Sequence, residues 1–271
     1  MPFWLTHVLA IAGVVWLGFS WWGVLACMIS YYVRMFFVTG AYHRYFSHRT
    51  YKTSRPFQLL LAFFAQTSAQ KGVLWWASHH RWHHKESDQP ADVHSAKLRG
   101  FWYSHIGWIL GPDWNDTDEE RVQDLAKYPE LRFLNRPAMA LMPALLSLVV
   151  LYLIGGLWLV VWGGLLSTVL LWHGTFTINS LSHMFGSKRY STSDESRNNW
   201  LLALLTMGEG WHNNHHHYQA SANQGFKWWE IDMTYYILKG LEKVGLVWDV
   251  RKAPAHVVED RPAAVSIARA A

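Results

Sequence analysis

The sequence contains sixteen histidines, and most of them fall in three tight groups: His43-Arg44-Tyr45-Phe46-Ser47-His48, His79-His80-Arg81-Trp82-His83-His84 and His212-Asn213-Asn214-His215-His216-His217. His80, His83 and His84 are spaced i, i+3, i+4, as are His212, His215 and His216, so each trio shares one face of a helix and is expected to converge on a small volume. His79 and His217 flank the trios about 100° off those faces and are left out of the ligand set. Asn179 and His183 are i, i+4 and also share a face if their helix continues through them, which adds both to the candidates. His43 and His48 are five apart, about 140° in a regular helix, so they are expected to serve two ions rather than one. The total of nine imidazoles is odd. Two ions would be unequally supplied, leaving a position for water or O2, and Asn179 is placed to hold such a water.

Neutral imidazole suits zinc, copper, iron and nickel, so the ligand type alone leaves the metal open. A structural zinc fills four positions, whereas nine histidines fit a redox pair with open positions. Soluble di-iron oxidases draw on Glu residues and paired Glu-x-x-His motifs; here only Glu209-Gly210-Trp211-His212 has that form. Glu86, Asp88, Asp92 and Glu209 lie close in sequence to the histidine groups and could accept the second ring N–H of a ligand, with Asp92 and Glu209 the stronger expectations. The isolated His7, His105, His173 and His256 are read as packing, interface or solvent residues.

The elements that carry these groups are apolar. Of 271 residues 51% are hydrophobic and 18 are Trp, too rich in apolar and aromatic side chains for an ordinary soluble protein. Four apolar runs, Phe3 to Leu17, Val24 to Thr39, Pro137 to Leu153 and Trp158 to Ile178, are joined in pairs by short connections. They predict an all-α integral membrane protein with four transmembrane helices as two hairpins, at roughly 3–19, 21–41, 137–155 and 157–178. Residues 42–136 and 179–252 then form a cytosolic helical cap, the whole of 1–252 being one domain, with 253–271 a flexible tail. Neither hairpin turn contains Lys or Arg, and Arg34 alone lies inside a span, where it is expected to snorkel. Both termini and the histidines are thus expected on the cytoplasmic side, in a bacterial inner membrane. The stretch from Phe57 to Trp76, interrupted by polar residues, is expected to be a buried or interfacial helix. The single Cys27 excludes an internal disulfide, and the absence of a Gly-rich phosphate loop or dinucleotide fingerprint argues against a bound nicotinamide or flavin. No nucleic-acid partner is expected.

With these boxes in place the sequence resembles the membrane fatty-acid desaturase family, in its acyl-CoA (stearoyl-CoA type, delta-9-like) branch, over roughly residues 24–250. The H-x4-H box matches His43 and His48, the first H-x-x-H-H box His80 to His84, the second His212 to His216, and the N-S-x-x-H element Asn179-Ser180-Leu181-Ser182-His183. The resemblance implies that His43, His48, His80, His83, His84, His183, His212, His215 and His216 ligate two irons and that Asn179 binds one through water. It also implies a kinked apolar tunnel shaped by Gln70 and Thr175; Phe176 stands where the family has Trp, without the indole N–H.

The implied activity is O2-dependent introduction of a cis double bond into a saturated acyl chain. Since an aliphatic chain has no polar handle at the reacting carbons, only tunnel shape can choose among similar methylenes. Two Fe ions are the implied cofactor, with Zn able to replace them in a purified sample, and O2 is co-substrate. The net charge of +5 suits an anionic head group or an anionic leaflet of membrane lipids, with Arg55, Lys188 and Arg189 as candidate contacts to acyl-CoA or another acyl lipid. No haem domain is recognisable, so a separate ferredoxin or cytochrome with an NAD(P)H reductase is the expected electron donor. A histidine-box hydroxylase or alkane monooxygenase is the nearest alternative, and a membrane metal transporter or binding protein comes from another class. A transporter should place ligands within its spans, where this chain has almost none.

Overall fold

The computed structural model describes residues 2–259. Helix Pro2–Leu17 turns at Gly18, where φ of 75° favours glycine, into Trp21–Phe36, whose N-cap Ser20 accepts a hydrogen bond from the Gly23 N–H at 3.1 Å. That helix continues without a break into eleven π-helical residues, Phe37–Ser47. A second long apolar segment begins at Pro137 and runs through Met142–Leu159, π-helical Val160–Leu166 and Ser167–Asn179. It bends at Gly155 and Gly156, the latter with φ of 62°. By length and composition two stretches can cross a membrane, Trp21–Ser47 with 27 residues and Pro137–His183 with 47, while Phe3–Leu17 is apolar but shorter. Val15, Trp16, Val149, Leu153 and Ile154 all point outward from these helices, an apolar surface that suits lipid contact.

Arg34 does not snorkel. It is 8% exposed, and its guanidinium donates to Ser167 Oγ and Thr168 Oγ1, both at 2.6 Å, and to the Thr67 carbonyl at 3.4 Å. Hydroxyls and carbonyls of neighbouring helices satisfy it where water was expected to.

The stretch from Phe57 to Trp76 forms two helices, Arg55–Gln66 and Val73–Glu86, separated by a turn in which Ala69 and Lys71 adopt positive φ. The first buries Leu61, Ala62 and Ala65 and exposes Leu59, Leu60 and Phe64, so apolar side chains lie on both its protein and its outer faces. Strand Lys52–Thr53 pairs antiparallel with Val247–Trp248, Lys52 opposite Trp248, tying the segment after helix Met233–Lys243 back to the first histidine box. One hydrophobic core joins Tyr31, Met35, Leu171 and Trp172 of the apolar helices to Tyr42, Phe46, Leu74, Leu125, Tyr235 and Leu238. The metal-ligand candidates therefore sit on a packed platform.

The tail expected to be flexible is held over its first part. Ala255–Glu259 forms a short helix, with Tyr190 Oη donating to the Val258 carbonyl at 2.9 Å and the His217 ring contacting the Val257 carbonyl at 3.2 Å. The remainder of that tail lies outside the described residues.

Candidate metal centre

The nine imidazoles gather into two adjoining groups. His43, His48, His80, His84 and His215 form one, and His83, His183, His212 and His216 the other, the candidate ligand atoms within each lying within 4.8 Å of one another. The trios are split between them. His80 and His84 join the five-histidine group while His83 crosses to the other; His212 and His216 join the four-histidine group while His215 crosses back. Positions i and i+4 are about 40° apart on a helix, whereas i+3 falls about 60° to the opposite side. Each helix therefore gives a pair to one group and a single imidazole to the other.

His43 and His48 belong to the same group, against the expectation from α-helical geometry. The cause is the π-helix at Phe37–Ser47: the His48 N–H donates to the His43 carbonyl at 3.2 Å, and i→i+5 bonding aligns residues five apart as an α-helix aligns those four apart. Asn179 and His183 do not continue one helix either. The α-helix ends at Asn179, where Ser180 Oγ bonds the Phe176 carbonyl, and a 3₁₀ turn at Leu181–His183 swings His183 into its group.

Within the groups the Nε2 atoms face one another: His43 to His215 at 3.0 Å, His48 to His80 at 2.8 Å, His84 to His80 and to His215 at 3.0 Å, and His183 to His212 at 3.1 Å. With metal–nitrogen bonds of about 2.0–2.1 Å, neighbouring ligand atoms on one ion come to lie about 3 Å apart. His83 Nε2 and His216 Nε2 are buried with no hydrogen-bond partner among the described residues. Convergent lone pairs, orphaned in the interior, fit bound cations.

Carboxylates fix the ring orientations from behind. Nδ1 of His83 lies 2.8 Å from Asp92, that of His183 3.0 Å from Asp88, that of His216 2.6 Å from Asp194 and that of His43 2.5 Å from Glu209. Each Nδ1–H is thereby spent on a carboxylate, leaving Nε2 as the atom free to bind a metal. Burial would raise these acids, but hydrogen bonds and charge from the histidines outweigh it and hold Asp88, Asp92 and Asp194 well below the usual carboxylate range. Burial and neighbouring imidazoles push His48, His80, His84, His212 and His215 well below the ordinary histidine value, and His216 down to about 4. Those six rings are neutral near pH 7, the form in which an imidazole can bind a metal. Three carboxylates back the four-histidine group, so charge accompanies the smaller imidazole set.

Asp88, Asp92 and Glu209, all named from their closeness in sequence to the histidines, do face imidazoles, and Asp194 is the carboxylate that sequence spacing missed. Asp194 is far from every box in sequence, and nothing local marks it. Asp88 sits at φ of 56°, held by hydrogen bonds from Ser95 Oγ and the Glu195 N–H. Arg44, fully buried inside the first box, binds Glu209 at 3.0 Å and Asp232 at 2.9 Å, so the acid that orients His43 is itself anchored. His94 stacks on His83 with centroids 4.2 Å apart, on the outer edge of the four-histidine group. His79 bonds the Trp75 carbonyl and His217 stacks on Tyr190; both remain outside the groups. Glu86 contacts Lys85 at the surface rather than a histidine.

A cavity of about 880 Å³ adjoins the five-histidine group at His80, lined also by Gln70, Trp76, Trp172, Thr175, Phe176 and Asn179 and touching His94. Gln70 Nε2 donates to Thr175 Oγ1 at 3.0 Å, so two residues 105 positions apart meet across its wall. Arg55, Lys188 and Arg189 do not line it. Arg55 forms a two-pronged pair with Glu130, Lys188 donates to the Asp194 carbonyl, and Arg189 pairs with Glu230. The cations that do line it are Lys71, Arg132 and Arg136.

Residues 3–251 match the family model described as fatty acid desaturase. The chain is 38% identical over 243 residues to an acyl-CoA C20 Delta5-desaturase of Anemone leveillei, covering 88% of this chain and 77% of that protein. It is 36% identical over 249 residues to an sn-1 stearoyl-lipid 9-desaturase of Anabaena variabilis, covering 91% and 90%. A palmitoyl-monogalactosyldiacylglycerol delta-7 desaturase of Arabidopsis thaliana is 38% identical over 254 residues, covering 92% and 67%.

Proposed function

The chain belongs to the fatty acid desaturase family, and from that premise we propose that it inserts a cis double bond into a saturated fatty-acyl chain at a centre of two irons held by the nine clustered histidines. Fatty-acyl desaturation is the activity that its relatives' names share, with acyl-CoA or acyl-lipid substrates. The observation that carries the reading is the arrangement of two groups of buried and half-buried imidazoles, with mutually facing Nε2 atoms, beside a cavity of about 880 Å³.

Five histidines would hold one iron, and four, with Asn179 through a water, the other. Iron bound there supplies O2-dependent oxidation, in which two electrons, two protons and two hydrogens from adjacent methylenes convert one O2 to two waters and leave an alkene. The protein's part is positional. Asp88, Asp92, Asp194 and Glu209 hold four imidazoles as Nδ1–H donors with Nε2 turned inward. Gln70, Thr175 and Phe176 shape the cavity beside them, and each buried methylene contributes about 0.8 kcal/mol, so the acyl chain is the principal binding handle. Lys71, Arg132 and Arg136, which line the same cavity, favour an anionic carrier such as coenzyme A.

The chain would cross the membrane four times, as hairpins from 2–36 and 137–179, since each long apolar segment is divided by glycines at its turn. The helices bearing the histidines, the termini and the electron donor, a ferredoxin or cytochrome, would then share the cytoplasmic side. Residues 1–252 act as one domain on this reading.

The test is stoichiometry. Iron-loaded protein in lipid nanodiscs, given a reduced ferredoxin or cytochrome system and stearoyl-CoA or distearoyl phospholipid, should consume one O2 per double bond formed. Hydroxylated product would favour the oxygenase reading, and O2 uptake without alkene from either substrate would contradict the proposal.

A further inference from the structure

Three histidines outside the metal groups meet although they lie on three separate elements. His7 is on Pro2–Leu17, His105 on the π-turn Tyr103–Gly107 and His173 on Ser167–Asn179. His7 Nδ1 lies 2.8 Å from the Phe3 carbonyl, His7 Nε2 3.1 Å from His173 Nε2, His173 Nδ1 2.9 Å from His105 Nε2, and His105 Nδ1 3.0 Å from Ser180 Oγ. In the metal groups every Nε2 faces a common centre. Here His173 spends its two nitrogens on different neighbours, so this is a line of hydrogen bonds rather than a ligand set.

A carbonyl can only accept, so the Phe3 carbonyl sets the direction of the line from the His7 end when the rings are neutral. His7 carries its proton on Nδ1, so its Nε2 accepts; with neutral rings His173 then donates from Nε2 and accepts at Nδ1, and His105 donates from Nε2, leaving its Nδ1 facing the Ser180 hydroxyl. That hydroxyl donates to the Phe176 carbonyl at 2.9 Å, and the carbonyl and His105 Nδ1 compete for its single proton, so the line ends on the turn that follows Asn179. The residue beside His105 makes a parallel tie, Ser104 Oγ donating to the Asn179 carbonyl at 2.6 Å.

The line lies directly behind the cavity wall. Trp172, Thr175, Phe176 and Asn179, which line the cavity, flank His173 or follow it on the same helix. The Phe176 ring meets His105 with centroids 5.8 Å apart at 88° and His173 at 6.0 Å and 74°. A phenylalanine has no donor with which to anchor itself. Its position is set from behind by the imidazoles.

We infer that His7, His105 and His173 are positioning residues that set the shape of the acyl cavity, and with it the choice of methylene pair. The inference rests on the desaturase reading. Neighbouring registers of an acyl chain bury nearly the same number of methylenes, so wall shape alone separates them.

The experiment expresses wild type, His173→Phe, His105→Phe, His173→Gln and His105→Gln in a host that lacks desaturases. Double-bond positions are measured by mass spectrometry, and iron content is measured on each purified protein. Phe keeps ring volume and removes the hydrogen bonds; Gln can donate from Nε2 and accept at Oε1, restoring the line. The expected result is at least a tenfold rise in the proportion of product with a displaced double bond in both Phe variants, with iron content unchanged, and a return toward the wild-type position in the Gln variants. Wild-type positional purity in Phe variants that retain iron and activity would overturn the inference. So would Gln variants as altered as the Phe ones. Loss of iron together with activity in the Phe variants would assign the line to holding the fold instead and overturn it too. No unsaturated product from wild type would remove the desaturase reading and this inference with it.

Discussion

His216 Nδ1 lies 2.6 Å from Asp194 Oδ2. Asp194 also accepts the Ser196 N–H and the Thr192 hydroxyl, each at 3.0 Å, so its carboxylate is fixed before it fixes the imidazole. Loss of such a partner typically costs 10- to 100-fold in metal affinity. Asp194→Asn is therefore expected to lower iron content from about two per chain toward one, read by elemental analysis after dialysis. Full retention of two irons would mean that His216 needs no orientation.

Arg44 offers a different loss. It is buried between Glu209 and Asp232, and removing one member of a buried ion network strands the others, at a cost of about 3–5 kcal/mol. Arg44→Met should lower the thermal midpoint of the detergent-solubilised protein sharply, and Arg44→Met with Asp232→Asn should recover part of the loss. Equal midpoints for wild type and the single variant would contradict the network.

Gly210 lies under the second H-x-x-H-H box, where an added Cβ would come within 2.0 Å of the Ala203 nitrogen and 2.5 Å of the Asn199 carbonyl oxygen. Both are backbone atoms, so neither can turn aside. Overpacking a core costs about 1–3 kcal/mol even where side chains adjust, and Gly210→Ala should exceed that by displacing Trp211 and His212. Iron content and melting temperature should fall together; wild-type values for both would contradict the contact.

The buried rings also set a pH dependence. The folded pKa values of His48, His80, His84, His212 and His215 lie well below the unfolded value of about 6.5 and that of His216 at about 4, whereas at His83 burial is outweighed by the Asp92 charge and hydrogen bond, which raise it and oppose the trend. The unfolded chain therefore binds more protons than the folded one below pH 6.5, and stability falls as pH falls through that window. Asp88, Asp92 and Asp194, held well below the usual range, stay ionised throughout it. The melting temperature of metal-free protein should drop steeply between pH 7 and pH 5, and iron should oppose the drop. A flat profile would mean that the imidazoles are hydrated or already protonated when folded.

The clustering of the candidate ligands was legible in the sequence because i, i+3, i+4 spacing is a property of any helix, and the pairs His80/His84 and His212/His216 do share groups. The division of each trio was not legible, since it depends on how two helices cross. The π-helix that brings His43 and His48 together leaves no mark in the local pattern of residues. Arg34 was read as an interfacial cation because its acceptors, Ser167 and Thr168, are more than 130 positions away. His7, His105 and His173 looked like unrelated packing residues for the same reason: each is alone on its own element, and only tertiary structure joins them.

The most direct measurement of the central claim is the fatty-acid profile of a host without desaturases that expresses this chain beside a His83→Ala control, with double bonds located by mass spectrometry. His83 belongs to the four-histidine group and is oriented by Asp92, so its removal should abolish activity while leaving the cavity in place. The account predicts a new monounsaturated acid in cells carrying the wild-type chain and none in the control. An unchanged profile from iron-replete wild type supplied with a working electron donor, or the same new acid in both strains, would contradict it.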